Sequence, residues 1–406
     1  MRKSLTAAAL LCALLLCFVP VLAEAFTLPD DIAEDITEFA TIRVSKGGSL
    51  ASAMFDGNYK SLWRDDSEGW IEFQLPEDKP CHTLYILTRG QPEKLYIEKK
   101  VGRDWQKIPA GNESFNTHCI PLDGLTVFRA RVSGGDLRVM EVRLYGAGEL
   151  PENVVNFTST TDKADLMILA CHPDDDILWM GGLMPVYAGQ LDMKVQAVYL
   201  TSRFHYRRCE AMDALWHCGM KYGPVFVGLA DVGKVHRATV LAAWGGKDEA
   251  VRAIAKQIRR FRPEVLVTQD INGEYGHPQH KVMVECCIQA VELAADPSAK
   301  KLDNLPAWDV KKFYIHLYPE NALTLDMDRP LSAFGGKTPG EVAQEAFLFH
   351  VSQQNGRHEV AVDGPYDMKQ YGLYRSTVGP DEAHDGLFEH IDGLYEREKT
   401  FYHDQP

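Results

Sequence analysis

The 406-residue sequence is poor in positive charge, and none of its cysteines is arranged in a Cys-x-x-Cys pair. Its 43 lysines and arginines are outnumbered by 57 aspartates and glutamates, which gives a net charge of −14. This acidity argues against a nucleic-acid backbone or an anionic membrane surface as the main partner. Apolar residues make up 45% of the chain and charged residues 25%, so neither disorder nor a multi-span membrane protein is indicated.

The missing Cys-x-x-Cys pairs also argue against a zinc site built from thiolates. Two of the nine cysteines fall in the first 25 residues, and the remaining seven are scattered. Their spacing allows one disulfide bridge, Cys81 to Cys119. The other five lie in apolar surroundings and are predicted to be buried thiols.

The first 25 residues have the three parts of a secretory signal peptide. A basic start, MRK, precedes the apolar stretch SLTAAALLCALLLCFVPVL and a small-x-small site at Ala23-Glu24-Ala25. A retained membrane anchor is the alternative, but Pro20 and the short apolar length favour cleavage. We therefore expect an exported protein (secreted, periplasmic or at the cell surface) with no membrane span in the mature chain.

Residues 26–150 alternate between polar and apolar side chains in short runs such as WIEFQL, TLYIL and FRARV, which predicts an antiparallel β-sandwich. The order of MFDGNYKSLWRDD, DWQKI and VMEVRLYGAG resembles the discoidin, or galactose-binding-like, family. That resemblance implies sugar binding by loops at one end of the sandwich; a purely structural or docking role is the alternative. Trp63 and Trp70 are either sugar platforms or, more in keeping with their size, core residues.

Residues 151–163 read as a linker, and the pattern changes from residue 164 to 406. The near-continuous apolar runs DLMILA, MKVQAVYLT, PVFVGL and EVLVTQ are separated by stretches of helical spacing. Strands buried on both faces that alternate with helices predict an α/β, Rossmann-like, mostly parallel sheet with helices on both faces. The turn-rich stretch YPENALTLDMDRPLSAFGGKTPGEV predicts long loops over a pocket mouth.

Two polar clusters follow predicted strands of this sheet. CHPDDDILWMGG places His172, Asp174 and Asp175 after DLMILA, and GEYGHPQH places His277 and His280 after EVLVTQ. Ligands bind at the carboxyl ends of strands in such sheets, and His277 and His280 share one face of a helix that begins at Pro278. Two imidazoles and a carboxylate suit a catalytic zinc or a non-haem iron centre. Helix capping by the aspartates is the alternative.

These motifs resemble the LmbE/PIG-L family of metal-dependent de-N-acetylases, from about residue 165 to 353. Three segments carry the resemblance: CHPDDDILWMGG, GEYGHPQH and RRCEAMDALWHCG, with EAFLFHVSQ similar to a later family helix. The chain departs from the family pattern at Cys171, where Ala is usual, at Asp176 for Glu, and at Gln279 for Asp.

The resemblance implies a role for seven residues. Zn²⁺, with Fe²⁺ as the alternative, would be bound by His172, Asp175 and His280. Asp174 would be the general base, His277 would protonate the leaving amine or steady the oxyanion, Tyr275 would contact the same oxygen, and Arg207 would contact the substrate. His350 and His384 are predicted to be packing or surface residues, because three ligands suffice.

The sequence therefore predicts an exported zinc hydrolase that removes the acetyl group from an N-acetylated amino sugar, carried in a glycan or glycoconjugate. An amidase for another N-acyl sugar conjugate and an inactive glycan-binding protein are the alternatives. Nothing in the sequence specifies an oligomeric state.

Overall fold

The structure is a computed structural model that describes residues 32–90, 94–108, 116–133, 135–299 and 302–402. The predicted signal peptide, residues 1–25, lies outside these residues. Within the described residues, no helix is both long enough and apolar enough to cross a bilayer.

The N-terminal part is a sandwich of two antiparallel sheets. In the described residues one sheet has the strand order β1-β3-β8-β5-β6 and the other β2-β9-β4-β7. The apolar residues that alternate along the strands fill the space between the sheets, as the period of two predicts. The strands are β1 (Thr41–Val44), β2 (Trp63–Asp65), β3 (Trp70–Gln74), β4 (Cys81–Thr88), β5 (Leu95–Val101), β6 (Asp104–Ile108), β7 (Thr117–Leu125), β8 (Val127–Val132) and β9 (Leu137–Tyr145).

The two tryptophans of this part have different surroundings. Trp63 is fully buried in the sandwich core, where its Nε1 donates a hydrogen bond to the Lys46 carbonyl at 2.8 Å. Trp70 is partly buried, and the guanidinium of Arg129 lies 4.2 Å from its ring centre. The core position predicted for Trp63 is confirmed.

The bridge allowed between Cys81 and Cys119 is absent, because both are free thiols. Cys119 is paired with Tyr85 across the β4–β7 ladder, four positions along β4 from Cys81. Four residues of a strand span about 13 Å, well beyond the reach of a disulfide. The bridge that the spacing in sequence left open is therefore excluded by the register of the two strands, which that spacing does not reveal.

The second part contains, in the described residues, a seven-stranded sheet of order β12-β11-β10-β13-β14-β16-β15. The first five strands in that order are parallel, whereas β16 and β15 run antiparallel at one edge. The sheet is therefore mixed, and its antiparallel edge was not predicted. Its strands are β10 (Leu166–Ala170), β11 (Val195–Thr201), β12 (Val225–Leu229), β13 (Val265–Thr268), β14 (Lys312–His316), β15 (Ala322–Thr324) and β16 (Gln370–Ser376).

Helices cover both faces of this sheet. Leu166, Ile168 and Ala170 of β10 face one apolar cluster, and Met167 and Leu169 face the other. The first cluster is covered by α1 (Asp175–Met180), α2 (His205–His217), α6 (Pro339–Phe347) and α7 (Leu394–Tyr402), and the second by α3 (Arg237–Ala243), α4 (Lys247–Phe261) and α5 (Pro278–Ala295).

The segment predicted to form long loops is more ordered than its composition indicates. It contributes β15 and the start of α6, which begins with a complete capping box between Thr338 and Glu341. The Thr338 side chain accepts a hydrogen bond from the Glu341 amide, and the Glu341 carboxylate accepts one from the Thr338 amide. The turn residues thus mark a helix start as well as loops.

Residues 151–163, which were predicted to be a linker, contain no helix or strand and are packed against their surroundings. Val154 and Val155 are buried in an apolar cluster with Tyr85 of the sandwich and Cys209 and Met212 of α2. The cluster joins the sandwich to the α/β part, so α2 contacts both.

Candidate active site

Both polar clusters lie at the same edge of the sheet. β10 ends at Ala170, just before His172, and β13 ends at Thr268, a few residues before His277. The two strands are directly paired and parallel, so their carboxyl ends lie side by side. The helices that follow, α1 and α5, begin at Asp175 and Pro278.

The three predicted metal ligands converge on one point. His172 Nδ1 lies 2.9 Å from Asp175 Oδ2, and His280 Nε2 lies 3.1 Å from the same oxygen. The two ring nitrogens are 3.2 Å apart. All three side chains are at least nine-tenths buried. Two imidazoles and a carboxylate from loops far apart in sequence are thus brought within contact distance.

These separations fit a divalent cation held by all three residues. Tetrahedral zinc with ligand bonds of about 2.0–2.1 Å places its ligand atoms about 3.3 Å apart. Such a site would relieve the crowding of three polar atoms that otherwise share one buried space. Two other groups in the described residues have ligand atoms within 4.8 Å of one another: His172, His277 and His280, and Cys171, His172 and Asp175. Burial raises the pKa of the Cys171 thiol well above its usual range, which disfavours a thiolate ligand.

The charges of the site are strongly coupled. Burial opposes ionisation of Asp175, but His280 and His172 hold its pKa well below the usual range. Burial likewise would lower the pKa of His280, but Asp175 and Glu274 raise it to about 10. A bound cation would take the place of the proton that His280 holds in its absence.

A second layer of side chains orients His280. Its Nδ1 lies 2.8 Å from Glu274 Oε2 and 3.0 Å from Gln269 Nε2, so the opposite nitrogen, Nε2, faces Asp175 and His172. The carboxylate of Glu274 is fixed in turn by the Asp270 amide at 2.8 Å, and His316 approaches it at 3.5 Å. A carboxylate behind a histidine ligand sets its tautomer and its orientation. Glu274 lies inside the GEYGHPQH motif, but only its contact with His280 reveals this role.

Asp174 is next to Asp175 in the sequence, but its carboxylate contacts Arg207 rather than the three predicted ligands. Its Oδ1 accepts a hydrogen bond from Arg207 Nη2 at 2.5 Å, and the same guanidinium nitrogen donates to the Pro173 carbonyl. Burial raises the pKa of Asp174 to about 6, while Arg207 acts in the opposite direction. Arg207 therefore forms a hydrogen bond with Asp174, the candidate base. The predicted contact between Arg207 and a substrate stays a prediction.

His277 and Tyr275 lie beside the ligand cluster. The His277 ring centre lies 5.0 Å from that of His172 and 4.4 Å from that of His280. Burial, together with these two histidines, lowers the pKa of His277 to about 3. Its Nδ1 is buried without a hydrogen-bond partner among the described residues. The Tyr275 ring lies 5.7 Å from that of His277, and the Lys234 ammonium is 4.5 Å from the Tyr275 ring centre.

Two of the departures from the family pattern have clear surroundings. Asp176 is fully buried, accepts a hydrogen bond from the Tyr199 hydroxyl at 2.7 Å, and has its pKa raised to about 7 by burial. Gln279 is also fully buried, and its Oε1 accepts a hydrogen bond from the Val232 amide at 3.0 Å. Its amide therefore fastens the segment before α3 and is not needed as a ligand.

His350 and Glu210 lie behind Arg207. Glu210 accepts hydrogen bonds from the amide and hydroxyl of Ser352, which fixes the short 3₁₀ turn after His350. His350 is fully buried, and neither of its ring nitrogens has a partner among the described residues. His384 is exposed. Both histidines lie outside the ligand cluster.

The fold and the site together define an α/β domain with a buried His-Asp-His cluster, joined to a β-sandwich. Residues 167–291 match the family model described as PIG-L, GlcNAc-PI de-N-acetylase. The chain therefore contains a domain of the PIG-L/LmbE family, in agreement with the resemblance of its motifs.

Similar proteins match parts of the chain. A 1D-myo-inositol 2-acetamido-2-deoxy-alpha-D-glucopyranoside deacetylase 1 from Catenulispora acidiphila is 28% identical over 223 residues, which cover 48% of this chain and 68% of that protein. The chain spans between 28% and 65% of the next three curated relatives.

Two solved structures match separate parts. The conserved protein TT1542 from Thermus thermophilus is 24% identical with a TM-score of 0.34, and the match covers 47% of this chain and 80% of that one. A CBM32 module from Clostridium perfringens is 22% identical with a TM-score of 0.24, and the match covers 28% of this chain and 100% of that one.

Proposed function

We propose that this protein is an exported, zinc-dependent hydrolase that removes the acetyl group from an N-acetylated amino sugar in a glycan or glycoconjugate. The observation that carries the proposal is the convergence of His172, Asp175 and His280 within 3.2 Å at the carboxyl edge of the sheet. The family domain over residues 167–291 and the deacetylase names of the curated relatives support the reaction type.

The metal would be held by His172, Asp175 and His280. A zinc ion bound there supplies a Lewis acid for the amide oxygen and a water of lowered pKa. The imidazole and carboxylate set favours zinc, with iron(II) as the alternative ion. Glu274 keeps His280 oriented for this task through its 2.8 Å contact.

Asp174 is proposed as the general base. It follows His172 by two positions and precedes Asp175, so it borders the ligand cluster without sharing its contacts. The hydrogen bond from Arg207 holds one carboxylate oxygen and leaves the other to take a proton from water. Arg207 therefore acts first as a positioning residue for Asp174, and we propose that it also contacts the sugar.

His277 and Tyr275 are proposed to act on the opposite side of the amide. His277 Nδ1 is buried without a hydrogen-bond partner among the described residues, and its neutral ring would steady the oxyanion or, after taking up a proton, pass that proton to the amine, which can leave only once it is protonated. The phenol of Tyr275 would contact the developing oxyanion. The products are acetate and a free amino sugar, and the sandwich would hold or locate the glycan.

The test is acetate release from a panel of N-acetylated amino sugars and glycans, compared with other N-acyl sugar amides. We expect acetate from the N-acetyl substrates, loss of activity with a chelator and recovery when Zn²⁺ is added back. The variant His280→Ala should bind less metal and release no acetate. Release from only the other N-acyl amides would indicate a different amidase, and a metal-free, inactive wild type would indicate a glycan-binding protein.

A further inference from the structure

A cavity of about 870 Å³ lies between the sandwich and the α/β domain, away from the ligand cluster. One wall is formed by β4 and β9, and the others by residues 152–155, α2 and the segment from 333 to 349. Pockets between domains are frequent ligand sites. Six aromatic side chains line the cavity: Tyr59, Tyr85, Tyr145, Trp216, Phe334 and Phe349.

The side chains on the sandwich wall of the cavity are set by the alternation of residues along β9. Val142 and Leu144 point into the sandwich core, so Glu141, Arg143 and Tyr145 point out of it and line the cavity. An outward face of a sheet that meets another domain is normally apolar. This face instead presents ionisable side chains to the cavity.

Glu141 is only 5% exposed, and this burial raises its pKa, while Arg143 and the backbone of Gly57 act in the opposite direction. Its Oε1 lies 3.5 Å from Arg143 Nε, while its Oε2 is buried with no hydrogen-bond partner among the described residues. A buried carboxylate oxygen without a partner is costly, and a ligand that brings a cation would reduce the cost.

Asp213 of α2 adds a second carboxylate to the lining. The Tyr59 hydroxyl donates to its Oδ2 at 2.7 Å, and this bond also crosses from the sandwich to the α/β domain. Burial raises the pKa of Asp213 to about 7, and the charges of Glu210 and Glu141 act in the same direction. Neutralisation by a cation would be favourable here as well.

The lysines of the cavity are already paired. Lys337 lies 2.7 Å from Glu345, and Lys221 forms an ion pair with Asp192. Arg143 is therefore the basic side chain of the cavity whose charge acts on both Glu141 and Asp213. A neutral or cationic ligand suits this wall, and an anionic one does not.

We propose that the cavity binds a saccharide unit that carries a free, protonated amine. The aromatic faces would pack against the sugar ring and the ammonium, and the carboxylates of Glu141 and Asp213 would receive the ammonium. The inference rests on the proposed function, since a free amine is what N-deacetylation leaves on a glycan. Arg207 and Asp213 are six residues apart on α2, about 9 Å along the helix axis, so the same helix borders the ligand cluster and the cavity.

The test is calorimetric titration of the full chain at pH 6.5 with the β-1,4-linked disaccharide of glucosamine and with its N,N′-diacetylated form. We expect the free-amine form to bind at least about tenfold more tightly. Asp213→Asn and Glu141→Gln should each weaken its binding by about tenfold. Glu77→Gln, a change of an exposed turn residue of the sandwich, is the matched control and should bind as the wild type does.

The variant His280→Ala distinguishes binding in the cavity from binding in the active site. This control is needed because the glucosamine disaccharide is also a product of the proposed reaction. Binding that is retained in His280→Ala and weakened by about tenfold in Asp213→Asn supports the cavity. Equal binding of the two disaccharides, or loss in His280→Ala with retention in both cavity variants, overturns it. Thermal melting checks that each variant is folded, and Tyr59→Phe, expected to weaken binding, is the milder substitute if Asp213→Asn unfolds.

Acetate release, measured on the same preparations, keeps the two proposals distinguishable. Amine-selective binding without acetate release would reject the proposed function and leave the cavity in place. Acetate release from a protein that shows no amine-selective binding would reject the cavity alone.

Discussion

Nδ1 of His172 and Nε2 of His280, which are 108 positions apart in the chain, lie 3.2 Å from each other. The contact exists because β10 and β13 are adjacent parallel strands, so that the loops after them meet. It is the geometric requirement for a shared metal ion. The predictions that follow concern the residues that support this contact and those that stabilise the fold around it.

Asp174→Asn should bind zinc as the wild type does and lose turnover by about 10²–10⁴-fold, because the change removes the proton acceptor and leaves the three ligands in place. Metal content by elemental analysis and acetate release by an enzymatic assay are the two measurements. Turnover near the wild-type value would remove Asp174 from the role of base. Loss of the metal would instead assign it to the ligand set.

Glu274→Gln should weaken zinc binding by about 10–100-fold, because the amide no longer fixes the tautomer and orientation of His280 as a carboxylate does. Competition with a chromophoric chelator measures the affinity. Glu285→Gln, a change on the outer side of α5, is the control and should have no effect on the affinity. An unchanged affinity in Glu274→Gln would mean that the second layer is dispensable.

Gly181→Ala should destabilise the fold by about 1–3 kcal/mol, because an added Cβ would clash with the Ile177 carbonyl oxygen and lie 2.7 Å from the Ala343 Cβ of α6. The Ile177 carbonyl and the close approach of α6 together account for the first glycine of the Gly-Gly pair. Urea unfolding measures the change. Gly48→Ala is the matched control, since a Cβ there meets no atom within 4 Å among the described residues. Equal stability of the two variants would contradict the packing argument.

Glu398 should make the stability of the fold depend on pH. It is fully buried in α7 and accepts hydrogen bonds from the Tyr187 hydroxyl and the Leu387 and Phe388 amides. Burial raises its pKa to about 7, despite these donors. Because the pKa of Glu398 is higher in the folded state than in the unfolded state, its contribution to the free energy of unfolding is complete below about pH 4.5. That contribution is lost as the pH rises through about 7.

The variant Glu398→Gln removes this titration. Its melting temperature, measured between about pH 5 and pH 8, should fall less with rising pH than that of the wild type. The variant will also be less stable at every pH, because its NH₂ group cannot accept the amide hydrogen bond that a carboxylate oxygen accepts. The quantity to compare is therefore the slope of melting temperature against pH. Equal slopes in the wild type and in Glu398→Gln would mean that other groups cause the pH dependence.

The sequence predicted most reliably what depends on local pattern. The helix predicted to begin at Pro278 is α5 (Pro278–Ala295), and its buried stripe includes Met283, Cys287, Ala290 and Ala294. The buried strands and the rule for parallel sheets place His172, Asp174, Asp175, His277 and His280 at one edge, and the family resemblance implies which three of them are ligands: His172, Asp175 and His280. The structure brings them together as expected.

The features that the sequence did not predict depend on contacts between distant segments. Glu274 and Gln269 acquire a role only when His280 is placed beside them. Arg207 was expected to contact a substrate, and its contact with Asp174 follows from the position of α2 over the loop after β10. The register of β4 against β7, which separates Cys81 from Cys119, is likewise invisible in the spacing of the two cysteines.

The order of the strands has a consequence for biosynthesis. β13 gains its outer neighbour, β14, only from residues 312–316, and β16, which covers β14, comes from residues 370–376. While the chain is still emerging from the ribosome, the edge of β13 stays unpaired after the metal-binding motifs have all been made. The nascent protein must therefore add residues 312–316 before the edge of β13 is covered, and residues 370–376 before the edge of β14 is covered; until then each edge is an exposed template for aggregation.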